Sequence, residues 1–124
     1  LYFMNVTQSI PLVAEKKLRA LGVTSPKRSA TAPEIPTIAE SGLKGFDMTN
    51  WYGMLVPSAT PRKTINTINA EIKNILMLPE TRKSLSAAGM VVEASTADVF
   101  AEFVKQETAK YARVIQAAGI KGTL

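Results

Sequence analysis

Residues 48–76 read MTNWYGMLVPSATPRKTINTINAEIKNIL, and the change of rhythm inside this stretch decides the fold class. Met48 to Val56 is a short apolar run containing Trp51 and Tyr52 and stopped by Pro57, the composition of a buried strand. Beyond it, Thr60 is placed to cap a helix with Pro61 in the first position. Ile65, Ile68, Ile72, Ile75 and Leu76 then recur at helical spacing along one face. A strand that feeds an amphipathic helix is the repeating unit of an α/β protein.

The same alternation continues in both directions. Upstream, Leu1 to Asn5 reads as the tail of a buried strand, followed by the polar cluster Thr7, Gln8 and Ser9. Pro11 opens a short helical stretch, Leu12 to Lys17. Leu18, Ala20, Leu21 and Val23 form a second strand that stops at Thr24, Ser25 and Pro26. From Ser25 to Gly45 the chain is rich in Ser, Pro, Ala, Thr and Gly, and Pro33 and Pro36 block a continuous helix. Ile35, Ile38, Leu43 and Phe46 can each pin this segment to a core, which predicts an ordered loop.

Downstream, Leu78 and Pro79 break the long helix, and a shorter one runs from about Glu80 to Ala88 with Gly89 accepting the left-handed conformation that ends it. Met90 to Glu93 makes a short strand. Ser95 with Asp98 resembles a capping box for a last helix, whose apolar stripe is Val99, Phe100, Phe103, Val104, Tyr111, Val114 and Ile115 and which ends near Gly119. Helices and strands thus alternate throughout, predicting an α/β architecture with largely parallel pairing and helices packed on the sheet.

Composition narrows the function classes. A chain of 124 residues is one domain or part of one. It has no Cys, so it holds neither disulfides nor thiolate metal sites, and no His, which removes the commonest general base and the commonest metal ligand. Triads and His-based acid/base chemistry are therefore unavailable, and no metal or cofactor is expected. Glu34, Glu40 and Asp47 lie in the long loop and read as surface carboxylates rather than a catalytic pair.

The net charge of +5 is dispersed: Lys16, Lys17 and Arg19 form one group, Lys27 and Arg28 another, and no aromatic residues are interleaved as stacking platforms. The expectation is a solvated surface and no nucleic-acid partner. Charged or polar residues interrupt every apolar run before the roughly 18–20 residues that a membrane helix needs. The first residue is Leu and no basic-then-apolar leader precedes it, so processing or truncation is expected to have removed the true start.

The order of motifs resembles the uptake receptors first described in Bordetella and found with tripartite tricarboxylate transporters. The resemblance is carried by Lys17-Leu18-Arg19-Ala20-Leu21-Gly22-Val23-Thr24-Ser25, by Lys27-Arg28-Ser29, by Pro33-Glu34-Ile35-Pro36-Thr37-Ile38-Ala39-Glu40-Ser41-Gly42, and by Trp51-Tyr52-Gly53 with Pro57 and Thr60-Pro61 behind it. It continues through Asn69-Ala70-Glu71-Ile72, the Leu85 to Gly89 turn and Ala117-Ala118-Gly119-Ile120. What it implies is a periplasmic receptor without enzymatic activity, which binds a small carboxylate and delivers it to a membrane permease.

The fold it implies is periplasmic-binding-protein-like of the second structural class, here incomplete and corresponding to the C-terminal part of a two-lobed receptor. On that reading residues 1–50 are the C-terminal part of the second lobe, 51–60 the inter-lobe crossing and 61–124 the segment returning to the first lobe. The family's carboxylate-holding loops lie mostly outside this stretch, so the chain alone should bind poorly or not at all. A chain lacking half of both lobes also carries the alternative of a swapped or intertwined homo-oligomer with no transport role of its own.

The ligand-binding candidates are Asn5, Thr7, Thr24 and Ser25. Asn5 and Thr7 correspond to a cleft-facing strand end in the family, and the competing reading is that they only satisfy backbone groups of a turn. Many members carry Asp where Met4 stands, so no carboxylate is offered there to an ammonium-bearing ligand. Thr24 and Ser25 follow the second strand, and open α/β sheets place ligands near the carboxyl ends of strands. Lys27 and Arg28, beside them, read as outward-pointing charges of a solvated loop.

Overall fold

The structure is a computed structural model and describes residues 1–120; the last four residues of the 61–124 segment lie outside the described residues. It is helix-rich, with α1 at Val6–Ala14, α2 at Arg62–Met77, α3 at Pro79–Ala87 and α4 at Ala97–Ala117. The residues divide into two compact units. The first comprises Leu1–Leu55 and Pro79–Val92, and the second comprises Val56–Leu78 with Glu93 and the residues after it. Pro79–Val92 therefore belongs with the beginning of the chain and not with its neighbours in sequence.

The expected strands at Leu1 to Asn5, Leu18 to Val23, Met48 to Val56 and Met90 to Glu93 are not formed among the described residues. In their place stands a single parallel bridge, Val23 to Thr37, closed by Val23 N–H to Pro36 C=O at 2.9 Å and Ile38 N–H to Val23 C=O at 3.0 Å. The physical reason is that a strand is defined by its ladder, which needs a neighbour in register. Composition can mark a segment as fit for a sheet without supplying that neighbour. Tyr2, Phe3, Tyr52, Leu55 and Val91, all in these segments, are accordingly exposed.

In the first unit, α1 begins six residues earlier than its sequence signal, because Asn5 caps it: the Asn5 Oδ1 accepts the Thr7 N–H at 3.2 Å. Pro11 sits inside this helix and does not open it. The helix ends in a Schellman turn, with Lys16 N–H on Val13 C=O and Lys17 N–H on Leu12 C=O, and Lys16 takes the left-handed conformation at φ 58°. Between α1 and α3 the buried residues are Val23, Ala32 and Thr37. α3 starts on Pro79 and ends as expected at Gly89, whose φ is 77°, with Gly89 N–H on Ser86 C=O and Met90 N–H on Leu85 C=O. A Cβ at Gly89 would lie 2.5 Å from Thr7 Cγ2, so the end of α3 is packed against the first turn of α1.

In the second unit α2 packs against α4. Pro61 occupies the N-cap position that Thr60 was expected to take, so the helix begins at Arg62, one residue later than expected, and the Pro61 carbonyl takes the first helical bond from Ile65 N–H. No side chain caps α2, and Thr60 is used in a turn onto Pro57 C=O. Leu78 is extended with ψ 134° because the residue before a proline is kept out of the α region, which separates α2 from α3.

The cap of α4 is Thr96, accepting the Val99 N–H, and not Ser95. The Ser95 carbonyl instead receives Asn69 Nδ2 at 3.0 Å, tying α2 to the entry of α4. Arg62 pairs with Asp98 across the same two helices, and each partner holds the other in its charged form: hydrogen bonding, then charge attraction, lowers Asp98 and raises Arg62. Of the predicted stripe on α4, Phe100, Val104 and Tyr111 turn inward, whereas Val99, Phe103, Val114 and Ile115 are exposed.

Candidate functional site

The most densely bonded part of the first unit is built from Val23 to Ser41. Thr37, whose side chain is almost fully buried, and Glu40 form a reciprocal cap: Thr37 N–H donates to Glu40 Oε2 at 2.7 Å and Glu40 N–H donates to Thr37 Oγ1 at 3.0 Å. Ser41 closes the turn by donating its hydroxyl to Thr37 C=O at 2.9 Å. Arg28, twelve residues back, donates from Nε to both Glu40 oxygens at 3.2 and 2.9 Å and from Nη1 to Pro33 C=O at 3.1 Å.

Arg28 and Glu40 therefore depart from the sequence reading, which placed them as separate solvated charges. The signal for Glu40 was present in Thr37-Ile38-Ala39-Glu40, a capping-box spacing, but the loop composition masked it. No local pattern announces a partner twelve residues away.

Bonding to the Thr37 N–H first, and to the Arg28 guanidinium second, holds the Glu40 carboxyl below the usual carboxylate range. The sign of the linkage follows. The folded state binds this proton more weakly than the unfolded chain, so the stabilisation is complete above the ordinary value of 4.5 and is lost as pH falls through the depressed folded value. Between 4.5 and that depressed value the thermal unfolding temperature is expected to drop more steeply in the native protein than in E40Q, and parallel profiles would contradict the arrangement.

The four predicted ligand residues all lie in the first unit. Asn5 and Thr7 are one cluster at the start of α1: Asn5 Oδ1 takes both the Thr7 N–H and, at 2.9 Å, the Thr7 hydroxyl, which leaves the Asn5 amide nitrogen without an acceptor among the described residues. Thr24 and Ser25 are a second cluster, both half-buried, directly after the bridged Val23. Thr24 C=O accepts Met48 N–H at 2.9 Å, and the Ser25 hydroxyl donates to Lys27 C=O at 2.7 Å. No hydrogen bond joins the two clusters among the described residues.

The Ser25 proton is thus committed to the loop, whereas the Thr24 hydroxyl, the Lys27 ammonium and the N–H groups of Ser25 and Lys27 have no protein partner among the described residues. These are donors without a competing acid, the chemistry that receives a carboxylate. A separate open recess of about 410 Å³, lined by Arg82, Lys83, Ser86, Met90, Val91 and Val92, includes none of the four. Among the described residues no group of three His, Cys, Asp or Glu could hold a metal, and no helix is long and apolar enough to cross a membrane.

Comparison with known proteins gives these features a context. The profile of the tripartite tricarboxylate transporter family receptor matches residues 2–120. A UPF0065 protein in the tcbD-tcbE intergenic region of Pseudomonas sp. strain P51 is 37% identical over 112 residues, covering 90% of this chain and 33% of that protein. Among solved structures, R. palustris Rpa4515 with adipate superposes with a TM-score of 0.75 at 26% identity, over 92% of this chain and 38% of that one. The periplasmic binding protein BugD gives 0.72 at 31% identity, over 91% and 38%. The chain spans about a third of the length of the first curated relative that it matches.

Proposed function

The chain belongs to the tripartite tricarboxylate transporter receptor family and carries part of a periplasmic-binding-protein fold, and from that premise we propose that it is the C-terminal part of a periplasmic receptor that binds a small carboxylate, catalyses no reaction, and delivers its ligand to the permease subunits of a tripartite transporter. The observation that carries this reading is the fold similarity to R. palustris Rpa4515, whose structure contains adipate, a dicarboxylate. The free donors around Thr24 to Lys27 agree with it in chemistry. Residues 1–50 are read as second-lobe structure, 51–60 as the crossing and 61–124 as the segment returning to the first lobe, within which Pro79–Val92 groups with the residues 1–55 and not with that segment.

Asn5, Thr7, Thr24 and Ser25 are proposed as ligand contacts, with different shares. The Thr24 hydroxyl and the Asn5 amide nitrogen are side-chain donors left open among the described residues, while Thr7 orients Asn5 and Ser25 shapes the loop. Ligand binding selectively stabilises the folded protein. In the whole receptor, one of acetate, succinate, adipate and citrate is therefore expected to raise the unfolding temperature, and the matching neutral amide is not. A flat response to all four in a folded receptor would remove the carboxylate reading.

A further inference from the structure

The loop that carries Thr24 and Ser25 is fastened at both ends by one side chain. At its start, Glu40 accepts the Thr37 N–H at 2.7 Å, and the backbone on either side of Thr37 makes both bonds of the bridge to Val23. At its far end, the same carboxylate receives the Arg28 Nε at 3.2 and 2.9 Å, and Arg28 is further anchored on Pro33 C=O. Between these fixed points lie only Thr24, Ser25, Pro26 and Lys27. Ser25 spans the turn internally through Lys27 C=O, and Met48 N–H holds Thr24 C=O from outside. We infer that Glu40 is the positioning residue of the ligand loop, its carboxylate setting the place of the Thr24 hydroxyl and the neighbouring open donors.

This rests on the proposed carboxylate-binding function and adds to it which residue organises the site. Physically, a loop closed on two short tethers has few conformations to lose when ligand binds, so ordering is completed by folding and not by the ligand. Neutralising Glu40 leaves the Thr37 tether weakened and the guanidinium without its counter-ion. The loop then samples conformations in which Thr24 points elsewhere. Arg28, for its part, is committed to Glu40 and so is not the cation that meets the ligand; Lys27 is the neighbouring cation without a partner among the described residues.

The test is a double-mutant cycle in the whole receptor at neutral pH, titrated with whichever of acetate, succinate, adipate or citrate binds the native protein. Thr24→Val removes the hydroxyl at nearly constant shape, and E40Q removes the charge. Each is expected to weaken binding by about tenfold, with the double variant little weaker than either, because two residues acting through one geometry are not additive. A role of Glu40 in stability alone predicts a lowered unfolding temperature with native affinity for the folded fraction. Should E40Q fail to fold, Arg28→Lys keeps the charge while losing the planar guanidinium's simultaneous hold on Glu40 and the Pro33 carbonyl, and its affinity loss must likewise be absent in the Thr24→Val background. Native binding with fully additive losses, or with no loss in E40Q, overturns the inference. Absence of any native binding removes the functional reading and the inference with it.

Discussion

Gly89→Ala is expected to destabilise the first unit by about 2–4 kcal/mol, the combined size of a left-handed non-glycine residue and an overpacked contact. Gly89 stands at φ 77°, where a side chain is disfavoured whatever surrounds it. The added methyl would also lie 2.5 Å from Thr7 Cγ2 and 3.3 Å from Thr7 Oγ1. Thr7 cannot simply rotate away, since its hydroxyl is bonded to Asn5 Oδ1 at 2.9 Å and both groups share the branched Cβ. The two contributions separate in the G89A and T7S double variant. Thr7→Ser deletes Cγ2 and keeps the hydroxyl, so it is expected to recover the steric share and leave the backbone share. Denaturant unfolding measures both; a double variant no more stable than G89A would show that the contact between α1 and α3 is not tight.

Thr37→Val is expected to cost about 1–2 kcal/mol, the range for a lost capping hydroxyl at a buried position. The side chain of Thr37 is 2% exposed, and its Oγ1 is the acceptor for the Glu40 N–H. Valine conserves the branched shape, so the change isolates the oxygen. Thr37→Ser makes the opposite cut, keeping the cap and losing a buried methyl worth about 0.8 kcal/mol. The larger loss is expected in T37V. Equal unfolding free energies for T37V and the native protein would mean that the reciprocal cap adds nothing to the first unit.

What the sequence made legible follows from how local each determinant is. α2 was readable because Ile65, Ile68 and Ile72 repeat on one face, and those residues are half-buried as expected. Gly89 and Gly119 were readable as helix ends because a left-handed residue after a helix is a local requirement, met here at φ 77° and 64°. The start of α1 was missed because Val6-Thr7-Gln8-Ser9 is not a strong helical sequence; the Asn5 cap and packing against Gly89 decide it.

Less local determinants were hidden. On α4 the apolar positions wrap more than one face, and which of them is covered is settled by α2, not by the stripe. The four expected strands failed for the same reason, since Leu1 to Asn5 or Met90 to Glu93 can announce an extended preference but not a partner. At the candidate site, Thr24 and Ser25 were found from the end of an apolar run, and Val23 does enter the bridge there. The pairing of Arg28 with Glu40 that fastens the loop spans twelve residues and depends on the turn between them.

On the proposed reading, donors left open among the described residues, the Thr24 hydroxyl foremost, take part in holding a small carboxylate. Calorimetric titration of the whole receptor, native and Thr24→Val, with acetate, succinate, adipate and citrate tests it most directly. Saturable one-site binding of at least one of the four by the native protein is expected, with about tenfold weaker binding by the variant. Equal affinities in the two proteins, or heats no greater than dilution for all four ligands, would contradict it.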